Sequence, residues 1–434
     1  MGKSFNKKQK LKPSNKKLGH LRYGVIVWLV IGGLINYIDR SNLSLAAPKM
    51  MADIHINNTA IGLMGTVFSW AYAISQLPTG WLIDKFGARK IYSIGMFLWS
   101  IADAATGAMN HLWSLLTGRA ILGISEAPCW PSSGKITADW FPKKERSLAT
   151  GFWDSSSKLG PAIAPPIITA ILVPLGWRSL FFITGILGMI FAVAFHFTYH
   201  TPRYAKHITK TERNYIEEGS KVAKTKTVSK VPWGALFKKR SVWGMILGFF
   251  CYIWIFNIFV YFMPLYLTKA FHTSQASLGI YASIPWIGGI VGAIGGGWLA
   301  KKMVEKFKMS ALTSKRLMIV ISAIVGGVLV VVTPFSKSVG MALAFMTIAL
   351  AFLSSVSSNA WALPGDVGPE STVGSLGSIQ NFGGYLGGAL SPTVAGLIVD
   401  ITNSYTLVFV SGGIVAALSA LCYWFILKKP ILDI

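Results

Sequence analysis

Apolar runs of about 20 residues, the length that crosses a hydrocarbon core roughly 30 Å thick, recur along the whole chain with polar breaks between them. They fall at 23–46, 60–83, 91–110, 112–134, 149–173, 179–198, 242–266, 277–300, 317–335, 339–363, 372–398 and 404–427. The pattern predicts an all-α membrane protein of twelve transmembrane helices. Several runs hold Gly and Pro, as in GPAIAPP (160–166) and GGYLGGALSP (383–392). In lipid this is tolerated where neighbouring helices or a cavity satisfy the freed backbone groups. One break is much longer than the others. Residues 199–241 separate six runs from six and predict a cytoplasmic linker between two halves, 23–198 and 242–427, flanked by a basic N-terminus (1–22) and a short C-terminus (428–434). Within the linker, TKTERNYIEEG predicts a short surface helix and KVAKTKTVSK a mobile stretch.

The halves echo each other. SWAYAISQLPTGWLIDKFG (69–87) is matched by PWIGGIVGAIGGGWLAKKM (285–303), and ERSLATGFWDSSSKLGPAIAPP (145–166) by ESTVGSLGSIQNFGGYLGGALSP (370–392). Two stretches matching in the same order point to an internal duplication, the sequence mark of a transporter whose site lies between its repeats.

Composition agrees with the pattern: 53% of residues are hydrophobic and 13% charged, where a soluble chain carries about a quarter charged. Of the 41 Lys and Arg, 34 fall in the termini and breaks on one side of the predicted spans and 4 on the other. The positive-inside rule therefore places both termini in the cytoplasm of a cell membrane. The net charge of +25 sits in juxtamembrane loops that face anionic headgroups, so the partner it implies is the lipid bilayer and not nucleic acid. The basic N-terminal flank has no small-residue cleavage site, which predicts that the first span is retained, and MGKSFN lacks the hydroxyl residue of a myristoylation signal. Cys129, Cys251 and Cys422 lie in separate spans without paired spacing, and the seven His form no cluster. Neither a disulfide framework nor a metal site is expected. With no catalytic triad or phosphate loop, the sequence predicts neither an enzyme nor a cofactor.

The remaining Lys and Arg are the informative ones. Arg40, Arg119 and Lys158 lie inside predicted spans, together with the acids Asp39, Asp103, Glu126 and Asp154. A charge at the centre of a bilayer costs about 2.5 to 3.5 kcal/mol even on the lenient insertion scale, so each is a functional candidate. At about 1.5 Å rise per residue, Asp39 and Arg40 of NYIDRSNLSLAAP (36–48) lie roughly 25 Å along the first helix. Arg119, on the oppositely directed fourth helix, falls at a comparable level, and Glu126, seven residues on and on the same face, about 10 Å deeper. A guanidinium can grip a carboxylate in a bidentate fork while staying charged, which makes Arg40 or Arg119 a plausible anion receptor. An acid beside it competes with the substrate for the same cation. Protonating Asp39 or Glu126 would release the Arg, so that proton and anion bind together. In the alternative, Asp39 only neutralises Arg119 as a buried clamp; Glu126 has no basic neighbour one turn away. Asp154 and Lys158, four apart, can pair with each other, or Lys158 can receive a second anionic or hydroxyl group of the substrate, with Asn381 at similar depth in the matching repeat. Asp103 has no cation near it in sequence and fits either a capped polar residue or a functional one.

GWLIDKFGARK (80–90) resembles the signature of the major facilitator superfamily, matched by Gly80, Asp84, Gly87, Arg89 and Lys90. The resemblance implies that these residues clamp two helices in one state of an alternating-access cycle. The echo after the eighth span has Ala300 and Lys301 in place of the Asp. NYIDRSNLSLAAP, GRAILGISEAPCWPS (118–132) and GSIQNFGGYLGG (377–388) are similar to the anion:cation symporter family, whose bacterial members include proton-coupled importers of galactonate, glucarate and hexuronates. By this resemblance Arg40, with Tyr37, Tyr72 and Asn381, contacts the substrate, and Asp39 and Glu126 carry protons, with Arg119 modulating Asp39. The chain departs from galactonate-type members at Ser157, where they carry Gln, and in the adjacent Asp154 and Lys158. Asn359 and Ala360 stand where related sequences place small hydroxyl residues.

The expectation is a monomeric secondary transporter that takes up a small organic anion together with protons by alternating access. A sugar acid (hexonate, hexarate or hexuronate) is the leading substrate. The alternatives are an importer of another carboxylate such as an aromatic acid, an organic-anion exporter or exchanger, and, from another class, a channel or nutrient sensor.

Overall fold

A membrane-spanning segment has to satisfy its backbone internally, which leaves the helix as the only outcome for this chain's long apolar runs. The computed structural model describes residues 19–56, 58–220, 233–273 and 275–431. The basic tail before Gly19 and the predicted mobile stretch KVAKTKTVSK lie outside the described residues. The helices are α1 (Leu21–Ile54), α2 (Asn58–Phe86), α3 (Ala88–Thr106), α4 (Leu112–Glu126), α5 (Cys129–Trp140), α6 (Arg146–Asp154), α7 (Ser156–Thr198), α8 (Lys210–Ser220) and α9 (Trp233–Leu236). They continue with α10 (Arg240–Phe271), α11 (Gln275–Phe307), α12 (Ala311–Val332), α13 (Val339–Ala362), α14 (Pro364–Val367), α15 (Val373–Thr402) and α16 (Tyr405–Leu421).

Among the described residues these make twelve membrane crossings and no strand. The predicted fourth span is two helices, α4 and α5, separated at Ala127 and Pro128; Pro128 and Pro131 remove amide donors where the chain turns. The fifth is likewise broken between α6 and α7. The fifth and sixth crossings then run together in α7 across a kink at Gly176 (φ 79°, ψ 170°), two residues after Pro174. Eight stretches of the described residues are long and apolar enough to cross a membrane on length and composition alone, and one of them, Arg146–Thr198, covers two crossings. The three crossings outside that set are α2, α3 and α4–α5. They carry Asp84, Asp103, and Arg119 with Glu126, charges that lower the apolar character of those helices.

α1 and α3 pack on α7, and α2 and α3 on α4; beyond the 199–239 segment, α10 packs on α15 and α16, and α12 on α13 and α16. Two further seams join the helices before that segment to those after it: α2 lies against α15 and α11 against α6. These seams bring together the echoed segments crosswise, 69–87 on 370–392 and 285–303 on 145–166. The outer faces are apolar, with Ile186, Leu187, Ile190 and Val193 of α7 and Ile287 and Val291 of α11 exposed. Lipid supplies little hydrophobic force between helices, so the interior is closed by small residues that let backbones approach.

Gly292 of α11 shows how tight that approach is, because a Cβ there would overlap the Ala351 carbonyl of α13. Gly295, one turn away, has nothing within 4 Å of the same position. Gly292→Ala is therefore expected to destabilise by about 1–3 kcal/mol through overpacking, seen as a lower melting temperature of the detergent-purified protein. Gly295→Ala is expected to be neutral or to stabilise by up to about 0.5–1 kcal/mol, the helix-propensity difference. Equal losses from the two variants would contradict this packing.

Candidate functional site

Successive residues on a helix project about 100° apart, so the adjacent Asp39 and Arg40 point into different places. Asp39 is fully buried and its Oδ2 accepts a hydrogen bond from Trp99 Nε1 of α3 at 3.1 Å. Arg40, with Tyr37, Ser41 and Ser44 on the same side, faces a cavity of about 940 Å³ between the two sets of helices. The Arg40 guanidinium donates through Nε to Glu126 Oε2 at 2.7 Å and through Nη1 to the Tyr385 hydroxyl at 2.8 Å. Nη2 has no protein partner. The rings of Tyr72, Phe68 and Tyr37 surround the cation at 4.9, 5.2 and 5.6 Å from its central carbon, so much of its charge is met by aromatic faces.

Glu126 therefore does have a base. Its partner lies on another helix and was invisible to a search one turn away in sequence. Glu126 is wholly buried, whereas the Arg40 side chain is 19% exposed, so the acid backs the cation and the cation faces the cavity. Arg119 lies close by, lining the cavity with 4% of its surface exposed, within electrostatic reach of Asp103, Glu126 and Asp39. It forms no ion pair with Asp39 within 4 Å, and its Nε and Nη2 make no hydrogen bond to the protein. Asp103 is tied into a polar knot: its Oδ2 accepts from Asn42 Nδ2 at 3.1 Å and from the Thr184 hydroxyl at 2.8 Å. The acid that touches Arg40 is thus Glu126, with the buried Asp39 and Asp103 behind it.

Tyr72 and Asn381 come together across the α2–α15 seam, Asn381 Nδ2 donating to the Tyr72 hydroxyl at 3.2 Å. Tyr385, one turn beyond Asn381, packs against Tyr72 with ring centroids 4.2 Å apart and the rings tilted by 33°. Sequence reading missed Tyr385; its only signal is the i+4 spacing from Asn381. It also missed Trp130 and Trp361 of the cavity lining, which cluster with the buried Trp153 at centroid distances of 5.4 to 6.3 Å.

Lys158 is not among the residues that line the cavity; Asp154 and Ser157 are. Its ammonium is held by Asp154 Oδ2 at 2.7 Å, and Asp154 Oδ1 accepts from the Ser357 hydroxyl of α13 at 3.0 Å. The self-paired alternative thus describes Lys158 here, and the cavity-facing member of the pair is the acid. Asn359 also turns away, its amide donating to the Ser355 carbonyl of its own helix at 2.9 Å.

On α1 the cavity-lining residues belong to the second half of the helix and on α2 to the first half, so the cavity opens at the end of the bundle opposite the termini. The other end is shut. Asp84 accepts from the backbone N–H groups of Gly374 (2.9 Å) and Ser375 (2.7 Å), placing a carboxylate on the N-terminus of α15. Gly80 lets the helices meet, since a Cβ there would stand 2.7 Å from Ser375 Cα. Gly87, at φ 87°, makes the turn into α3. Arg89 is directed elsewhere, its Nε donating to the His196 carbonyl at the end of α7 at 2.8 Å. At the α11–α6 seam Lys301 stands in the position of Asp84 and binds Glu145 at 3.3 Å, so the echo keeps an ionic contact with its polarity reversed. Asp366 is gripped by Arg146 at 3.5 Å and by Lys315 of α12.

Comparison with known proteins fits this geometry. The chain is 31% identical over 417 residues to a probable L-galactonate transporter of Escherichia coli (strain K12), covering 96% of this chain and 92% of that one. It is 29% identical over 422 residues to a probable galactarate/D-glucarate transporter of Bacillus subtilis (strain 168), covering 94% and 92%. The fold superimposes on the structure of a proton:xylose symporter, XylE, with a TM-score of 0.72 at 16% identity, over 94% of this chain and 96% of that one. The model of the Major Facilitator Superfamily matches residues 29–392, and with twelve crossings around a central cavity closed at one end, this chain belongs to that superfamily as a membrane transporter and not an enzyme.

Proposed function

We propose that the protein is a proton-coupled symporter that imports a hydroxylated organic anion, a sugar acid, by rocking of two six-helix halves about the cavity. The observation that carries this reading is the Arg40–Glu126 pair: a cation that lines the cavity, with its Nε occupied by a buried acid, its Nη1 by a tyrosine hydroxyl and its Nη2 without a protein partner. A substrate carboxylate and Glu126 compete for one guanidinium. Protonation of Glu126 removes the competitor and releases Arg40 for a fork on the substrate, so the proton and the anion favour each other's binding. The names of the relatives, which carry galactonate, galactarate and D-glucarate, support a sugar acid. So do the hydroxyl and amide groups around the cavity, Ser41, Ser69, Ser157, Asn257 and Asn381 among them. With the termini cytoplasmic, the cavity faces outward and the Asp84 contacts hold the inner end shut.

The aromatic wall of Trp130, Phe249, Phe256 and Trp361 favours one second reading, an aromatic carboxylate. Competition between sugar acids and benzoate-type acids for the purified protein separates the two.

In proteoliposomes, uptake of the carried acid is expected to rise as the external pH falls, because the protonated form of Glu126 is the one that frees Arg40, and to lose accumulation when a protonophore is added. Uptake indifferent to the proton gradient would refute the coupling. Arg40→Lys keeps the charge but loses the fork and the aromatic stack, and should weaken apparent affinity at least about tenfold; transport at parental affinity would remove Arg40 from the receptor role. Glu126→Gln mimics the protonated acid. It should retain exchange of labelled for unlabelled substrate while losing proton-driven accumulation, and accumulation equal to the parent's would show that the coupling proton is held elsewhere.

A further inference from the structure

The cavity has a second charged end. Asp154, at the last turn of α6, lines it at 2% exposure, held by two fixed donors: Lys158 Nζ on Oδ2 at 2.7 Å and Ser357 Oγ on Oδ1 at 3.0 Å. The ammonium is on the far side. Lys158 is 1% exposed, its stem packs against the Gly289 position of α11, and its Nζ lies 6.0 Å from the ring of Phe256, which does line the cavity. The pair as a whole is neutral, but the face it turns to a ligand is the carboxylate. Each carboxylate oxygen has one protein donor and a lone pair left over, so Asp154 can accept two more hydrogen bonds and donate none.

The cationic end has no charge to spare. Two guanidiniums, Arg40 and Arg119, stand among three buried carboxylates, Asp39, Asp103 and Glu126. Acids outnumber bases by one, so a first carboxylate is admitted only as protons arrive, and a second would require every acid of the cluster to be neutral at once. Tyr37 lies between the two ends, within electrostatic reach of both Arg40 and Asp154.

We propose that Asp154 is a specificity-determining residue, an acceptor pole that selects monocarboxylates with a hydroxylated tail, hexonates and hexuronates, and rejects hexarates. The inference rests on the sugar-acid reading above and narrows it. A hexonate puts its carboxylate on Arg40 and donates its distal hydroxyls to Asp154. A hexarate puts a second carboxylate against Asp154, where like charges repel. Recruiting Lys158 to that carboxylate would break the 2.7 Å pair and leave two acids to share one ammonium.

The test is a competition series on the full chain in proteoliposomes, with binding read in parallel by thermal shift. The monoanions are D-galactonate, L-galactonate, D-gluconate and D-glucuronate; the dianions are galactarate and D-glucarate. The best monoanion is expected to compete at least about tenfold better than the best dianion. In the double variant Asp154→Asn, Lys158→Met, which removes both charges and leaves neither buried alone, that ratio should fall toward one. The parental ratio is measured without any variant and decides by itself if the double variant does not fold. Dianions competing as well as monoanions in the parent, or a ratio unchanged in the double variant, would overturn the acceptor pole and leave the carboxylate reading standing. If neither class binds or competes, the carboxylate reading falls, and the acceptor pole with it.

Discussion

A guanidinium inside a membrane protein has to be answered by something, and the answer chosen for Arg40 organises the rest of the molecule. It receives a carboxylate on one edge, a tyrosine hydroxyl on another and three aromatic rings around it, while one nitrogen is left without a protein partner. Such a pair gives little net stability, since the desolvation of both ions offsets most of their attraction. It is better understood as a site whose occupancy can change. On the proposed reading Glu126 and a substrate carboxylate compete for the same N–H groups, so the charge state of one would set the affinity for the other, and a thermodynamic coupling would arise from a single shared cation.

Coupling becomes transport only if the two ends of the cavity are opened in alternation, and here the fold does the work. The closed end is built from the echoed segments crossed over one another: α2 on α15 through Gly80 and Asp84, α11 on α6 through Lys301 and Glu145. These contacts are ionic or dipolar and lie at helix termini. On the proposed reading, separation along the two cross seams is the motion that would alternate access.

Much of this was legible in the chain. The number of crossings followed from run length, and the charged residues of the site stood out because they interrupt greasy helices. What did not follow was which charge meets which. Counting residues gives depth along a helix but says nothing of how one helix is rotated against another, so Arg119 stood as an alternative partner of Asp39 and Glu126 was left without a base, when Arg40 reaches it from α1. Tyr385, Ser357 and the tryptophan cluster were missed for a different reason. Aromatic and hydroxyl residues are common in membrane helices, and nothing local separates a cavity face from a lipid face. The breaks between α4 and α5 and between α6 and α7 escaped because hydropathy does not register backbone conformation. Arg89 sits in a recognisable motif, yet its guanidinium is committed to the carbonyl of His196, which is a property of the α3–α7 packing and not of the motif's spacing.

The two charged ends of the cavity share a design. Each has its ion on the first set of helices and a neutral hydroxyl partner on the second: Arg40 with Tyr385, Asp154 with Ser357. A hydroxyl is both donor and acceptor, so it can serve a cation at one end and an anion at the other, and it can be given up without stranding a charge. A ligand lying between the ends, offering an acceptor to Arg40 and donors to Asp154, can take the place of either hydroxyl. On the proposed reading, replacing both would loosen the contacts across the cavity while leaving every ion partnered. The bound anion would then do more than fill the site, because it would supply from within the hydrogen bonds that otherwise tie the two sets of helices together, which is what a cargo must do if its presence is to permit their movement.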